Sequence, residues 1–294
     1  MTAALLAGVV SSAILSAVSL VYAGLGELVS ERAGIVNLGV EGLMLIGASV
    51  GFAATAATGS PYLGIAAAAL ASTLANGLFA YVVIGRKANQ LASGLTLMFF
   101  GIGVSALAGK PFIGDIIQGL PRIPVLGLPF DVLTYLTVPL AVLLWWLLFR
   151  TRWGLALRAT GESPAVAFAA GKRPEMLQYQ AVLIGGCLAG IGGGHLSIAL
   201  TRTWAEEMTA GRGFIAIALV IFAKWNPLLV IPAALLFGAA EALQLQLQAA
   251  GINLSPFILS MVPYLLTLCI LAFWGWRRQT AAPAGLGRTF LGVE

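Results

Sequence analysis

Charge is what this chain has least of. Asp, Glu, Lys and Arg make up 9% of its 294 residues and mean hydropathy is +0.97, whereas an ordinary soluble domain is about one-quarter charged. So few polar groups could not cover a folded surface in water, so lipid must solvate much of the molecule. Histidine occurs once, at His195, and cysteine twice, at Cys187 and Cys269, each within an apolar run. That excludes a Cys-x-x-Cys or His-x-x-x-His pattern, and any His-paired nucleophile must use His195. Both cysteines read as buried packing residues. The Gly-x-x-x-x-Gly-Lys-Ser/Thr phosphate loop is missing, because Gly109-Lys110 runs into Pro111 and Gly171-Lys172 into Arg173. The chain therefore shows no cradle for ATP, and neither cofactor nor metal is expected on it. No basic stripe with interleaved aromatics marks a nucleic-acid surface. The apolar–polar alternation of a transmembrane barrel is also absent.

What is present is a series of long apolar runs. A membrane-crossing helix needs about 20 such residues, and candidates lie at 3–25, 37–57, 61–84, 92–109, 130–149, 177–200, 213–223, 227–248 and 255–276. The expectation is an all-α fold, a polytopic transmembrane helical bundle of eight to ten spans in residues 1–276. The run at 213–223 is too short for a full crossing and 92–109 is marginal, so broken or re-entrant helices are expected. Abundant glycine, 36 residues, suits close helix approach in lipid. The first run lacks a basic leader and reads as a spanning helix rather than a cleaved signal.

Basic residues orient this bundle. With the 150–176 loop placed in the cytoplasm and sides alternating outward, twelve of the sixteen Lys and Arg fall on the cytoplasmic side. Lys110, Arg122, Arg202 and Arg212 fall on the other, as the positive-inside rule requires. The N-terminus is then outside. The tail 277–294, rich in Gly, Ala and Arg, is cytoplasmic and expected to be disordered.

Within the 150–176 loop, Ser163 followed by Pro164 is an N-cap and first helical position. Gly171 supplies a left-handed stop, with Pro174 beyond it. Between them lies a short apolar helix around Ala167 and Phe168. It is either an amphipathic segment folded on the membrane surface or its own bundle, or a docking helix for a cytoplasmic partner. Inside the spans the ionisable groups Glu41, His195 and Glu241 stand out, joined by Asn37, Asn76 and the glutamines at 244, 246 and 248. Such groups in lipid face a cavity or a partner. For Glu41 a structural hydrogen bond to a neighbouring helix is favoured over a pathway role, and a lone histidine such as His195 is more often packing than ligand. Glu241, Gln244 and Gln248 share one helix face, which meets the bundle, a pore or a second subunit.

The run Glu31-Arg32-Ala33-Gly34, followed by Asn37-Leu38-Gly39-Val40-Glu41-Gly42, resembles the inner-membrane permeases of ABC importers for simple sugars, branched-chain amino acids and nucleosides. Its form is similar to the nucleoside branch. Ala88-Asn89-Gln90 with Ser93-Gly94-Leu95 is similar to that branch as well, with Gln90 in place of the usual acid. Gly154 to Gly171 resembles the family's cytoplasmic coupling segment. The resemblance implies a bacterial plasma-membrane permease with no ATP site of its own. It implies a cytoplasmic ABC ATPase docking on the coupling segment (Arg158, Glu162, Ser163, Pro164, Ala167, Phe168 and Gly171). A second, related permease subunit and an extracytoplasmic solute-binding protein would complete an importer for a nucleoside or sugar. The pathway candidates are Asn37, Glu41, Asn89, His195, Glu241 and Gln244. A stand-alone secondary transporter or channel is the competing reading.

Overall fold

The computed structural model describes residues 3–125, 128–249 and 282–288, with single positions at Met261, Leu265, Leu268 and Ala272. The run at 255–276 expected as a span therefore lies largely outside the described residues. Helices α1 (Ala3–Arg32), α2 (Val40–Thr58), α3 (Pro61–Ala80), α4 (Gln90–Gly109) and α5 (Val132–Arg150) come first. They are followed by α6 (Arg152–Glu162), α7 (Pro164–Ala169), α8 (Pro174–Gly194), α9 (Arg212–Phe222) and α10 (Pro227–Ala249). Seven segments among the described residues are long and apolar enough to cross a membrane, and α9 is a shorter apolar helix.

Local chemistry sets these boundaries. Ser60, Asn89 and Asp131 cap α3, α4 and α5 by accepting the amides of Leu63, Ala92 and Thr134, each satisfying a donor that has no partner inside its helix. The Asn89 cap starts α4 earlier than its apolar run alone suggests and lengthens the marginal fourth span. α3 and α8 each end in a wider π-helical turn, Tyr81–Gly85 and His195–Thr201. Among the described residues the one strand pairing is a small antiparallel hairpin, β1 (Arg122–Val125) and β2 (Leu128–Asp131), which pairs Arg122 with Asp131. Pro121, Pro124 and Pro129 keep this stretch extended.

Helices α1, α2 and α8 are mostly buried and form the centre, whereas α4, α5 and α10 expose most of their surface. Glycines set the approach. A Cβ on Gly101 of α4 would lie 2.5 Å from the Cα of Gly42 on α2. One on Gly47 of α2 would lie 2.4 Å from the carbonyl oxygen of Gly190 on α8. No side chain fits at either crossing, so the backbones themselves touch.

Contacts along α1 give the direction of its neighbours. Gly26 meets Gly185, and Ser19 meets Gly192, so α8 runs antiparallel to α1. Gly24 meets Val230 and Ala13 meets Gly238, so α10 does too. Tyr22 donates to the Leu133 carbonyl and Arg32 stacks on Phe149, so α5 runs parallel to α1. One end of the bundle thus gathers Arg32, Arg86, Lys87, the α5–α8 connection and Lys224, and is referred to below as the basic end. Lys87 pairs with Glu175 there. Residues 282–288 lie at the same end, bonded to α6, where a disordered tail was expected.

Helix α9 does not reach the opposite end. Its first residue, Arg212, donates to the Ser16 carbonyl at 3.1 Å and to Ser19 Oγ at 3.0 Å. Ser16 lies roughly 12 Å along α1 from Gly8, at 1.5 Å per residue. The 202–211 loop therefore folds into the bundle, and α9 begins inside it as a half-helix.

Candidate functional site

A stretch of irregular backbone, residues 33–39, joins α1 to α2 and is almost wholly buried. Buried peptide groups outside a helix must find partners, and the surrounding polar side chains supply them. Glu27 Oε1 accepts the Asn37 amide at 2.9 Å, Gln90 Oε1 accepts the Val36 amide at 2.8 Å and Asn37 Oδ1 accepts the Gly39 amide at 2.8 Å. Gln178 Nε2 donates to the Ala33 carbonyl at 3.2 Å. Asn37 Nδ2 donates to Asn76 Oδ1 at 2.8 Å, and Asn76 Nδ2 to the Val182 carbonyl at 2.6 Å, which ties the turn through α3 to α8. Glu31 accepts the Trp225 indole N–H at 2.5 Å, and Arg32 Nε donates to the Trp225 carbonyl at 3.0 Å, fixing the α9–α10 turn.

Glu41 sits in the first turn of α2 and serves α9 as well. Its Oε1 accepts Thr209 Oγ1 at 2.6 Å and the Gly211 amide at 2.8 Å, and its Oε2 accepts the Gly213 amide at 2.6 Å. The N-termini of α2 and α9 thus converge on one carboxylate, where both helix dipoles favour negative charge. A Cβ on Gly213 would lie 2.4 Å from the Glu41 Cα, so this contact needs glycine.

His195 is fully buried at the start of the π-helical turn, with Nε2 3.4 Å from Asp131 Oδ2. Its Nδ1 has no partner among the described residues. Burial opposes ionisation of Asp131, but the His195 ring and both Thr134 donors outweigh it and hold the carboxyl well below the usual carboxylate range. Glu241 is half-buried and pairs with Arg212 at 2.7 Å, locking α10 to α9. Gln244 is half-buried one turn further along α10. Asn89 is exposed and lines an apolar groove of about 370 Å³ between α3 and α4, together with Ser93, Thr96 and Phe100.

The structure therefore brings Asn37 and Glu41 into one buried frame but leaves His195, Asn89 and the Glu241–Gln244 face at separate places. Sequence reading missed Glu27, Glu31, Gln90 and Gln178 as members of that frame, and it missed Asp131. Glu27 and Glu31 carried a signal, since they stand one helical turn apart at the end of an apolar run. Asp131 and His195 are 64 residues apart and carried none.

At the basic end, Thr151 accepts the Gly154 amide and caps α6, an amphipathic helix that the 150–176 loop reading had left out. Arg158 faces its own bundle, donating to the Leu148 carbonyl at 3.0 Å and stacking 4.8 Å over the Phe149 ring. Helix α7 forms as expected: Ser163 Oγ accepts the Val166 amide, Pro164 is its first residue, and Gly171 takes a left-handed φ of 73°. Of its side chains Ala167 is turned inward at 2% exposure, while Val166 and Phe168 are 66% and 52% exposed. These two present apolar surface at the end of the molecule richest in charge.

A family model described as "Branched-chain amino acid transport system / permease component" matches residues 9–271. The chain is 36% identical to a putative glucose ABC transporter permease protein of Haloferax volcanii, over 97% of both chains. It is 33% identical to a guanosine ABC transporter permease protein of Bacillus subtilis, over 96% of both. It is 35% identical to a nucleoside ABC transporter permease protein of Lactococcus lactis, over 90% of this chain and 92% of that one. No solved structure matches significantly.

Proposed function

The chain belongs to this permease family of multi-pass membrane proteins, and on that premise we propose that it is the transmembrane subunit of an ATP-driven importer for nucleosides or related simple sugars. The observation that carries the reading is α7, a helix of six residues capped at both ends that holds Val166 and Phe168 out of the bundle at the basic end. An apolar pair held rigidly among charges is surface prepared for a partner. A separate cytoplasmic ATPase docks there, so the basic end and residues 282–288 are cytoplasmic. Ser163, Pro164 and Gly171 shape α7 for that contact, Ala167 seats it on the bundle, and Arg158 and Glu162 hold α6 beneath it.

ATP-driven closure of the motor moves α6 and α7 and switches the bundle between outward- and inward-facing states. A second, related permease completes the pathway and an extracytoplasmic binding protein delivers the solute. Among the pathway candidates, Asn89 and Gln244 have the exposure needed to meet solute. Asn37, Glu41, His195 and Glu241 set the shape of the pathway through the helices they hold.

The test is uptake into proteoliposomes containing ATP, with labelled guanosine and glucose as probes. One sample holds the chain alone, and another adds the candidate ATPase, second permease and binding protein. Uptake confined to the complete, ATP-supplied system is expected. Uptake by the chain alone, indifferent to ATP, would overturn the proposal in favour of a secondary transporter or channel.

A further inference from the structure

Residues 282–288 are bonded to three separate elements at the basic end. The Ala284 amide donates to Glu162 Oε2 at 3.0 Å and the Gly285 amide to the Gly161 carbonyl at 2.9 Å, both at the end of α6. The Gly287 amide donates to the Gly34 carbonyl at 3.2 Å, in the turn between α1 and α2. The Arg288 carbonyl accepts Gln90 Nε2 at 3.3 Å, in the first turn of α4. Gln90 uses its other amide atom to hold Val36, so one side chain links this segment to the buried turn. Pro283 and Gly285 are buried, and Ala282 and Leu286 pack on the main apolar cluster.

The contact is made backbone to backbone. A Cβ on Gly285 would lie 2.6 Å from the Gly161 oxygen, and one on Gly161 would lie 2.2 Å from the Arg32 oxygen. α6 and the end of α1 therefore touch with no side chain between them, and the segment is laid across both. The last carbonyls of a helix have no partner within it, and here the segment takes up that of Gly161. Small residues, which in the sequence read as disorder, are what this layered packing requires.

We propose that residues 282–288 form a strap that makes α6, the 33–39 turn and the start of α4 move as one body. Displacement of α7 by the motor then reaches the buried polar frame through the strap's backbone bonds. The strap acts by positioning these elements and touches no solute. It rests on the reading that an ATPase docks on α7.

Two variants of the full assembly test it: Gly285→Val, which has no room against Gly161, and a chain ending at Ala281. In both, the ATPase is expected to co-purify as with the wild type, because α7 is untouched. ATP-driven uptake should fall by about tenfold or more. Hydrogen exchange at the Val36 and Asn37 amides should speed up by about tenfold. If either uptake or exchange stays within about twofold of the wild type, the strap does not carry the motion and the proposal fails. Co-purified ATPase shows that each variant is folded, so the uptake and exchange measurements decide the strap's role. A wild-type chain that retains no ATPase would instead count against docking on α7, and the exchange measurement would still decide whether the strap holds the turn.

Discussion

The 33–39 turn and helix α7 place polar and apolar groups in opposite ways. The turn lies inside an apolar bundle, yet Glu27, Asn37, Asn76 and Gln90 surround it. Helix α7 lies at the most charged end of the molecule, yet it turns Val166 and Phe168 outward. In the turn Glu27, Asn37, Gln90 and Gln178 bond backbone groups outside any helix, and Asn37 and Asn76 bond each other, so these side chains find their partners within the chain. On α7 the outward apolar surface stays exposed, on a helix held rigid by a cap at each end. The difference teaches how to sort such residues: buried polar groups with named partners hold the fold, and exposed apolar groups on a capped helix call for another molecule.

Substitutions break this comparison in a graded way. The largest loss of stability is expected from Glu41→Ala, which strips the acceptor from Thr209, Gly211 and Gly213 at once. At about 1–3 kcal/mol per orphaned donor, roughly 4 kcal/mol should be lost, read as a large fall in Tm of the detergent-solubilised protein. Glu41→Gln should recover part of it.

Asp131→Asn comes next, at about 2 kcal/mol at neutral pH, and it carries a pH signature. The folded-state pKa of Asp131 is depressed, so its stabilising effect is present above the ordinary carboxylate value. That effect is lost as pH falls below about 4. Wild-type Tm should drop across that window more steeply than that of the variant, and parallel curves would remove the Asp131–His195 contact from the account.

Glu241→Gln should cost about 1 kcal/mol, because Arg212 keeps its bonds to Ser16 and Ser19. A much larger loss would make α9 more dependent on that pair than the geometry implies. The smallest stability change, under about 0.5 kcal/mol, is expected from Val166→Asp with Phe168→Asp.

Much of this was legible in sequence because its signals are local. Apolar run length located the spans, and the short run at 213–223 anticipated α9 as an incomplete helix. Ser163, Pro164 and Gly171 defined α7 to within a residue or two. The polar frame was legible only in part, because its bonds join residues far apart in sequence: Val36 with Gln90, Asn37 with Asn76, Glu41 with Thr209. No periodicity encodes such pairings. Helix α6 was overlooked because only half its surface is apolar and its run is too short for a span. The strap was misread because Gly and Ala have the composition of a loose tail, and only the facing glycines, Gly34 of the turn and Gly161 of α6, reveal why they suit it.

The most direct test of the central claim compares binding of the ATPase to the wild-type chain and to the Val166→Asp, Phe168→Asp variant, with Tm measured on the same samples. The account predicts an unchanged Tm and an affinity weaker by about 100-fold, the scale of an interface anchor. Unchanged affinity at unchanged Tm would show that the motor does not dock on α7 and would contradict the account.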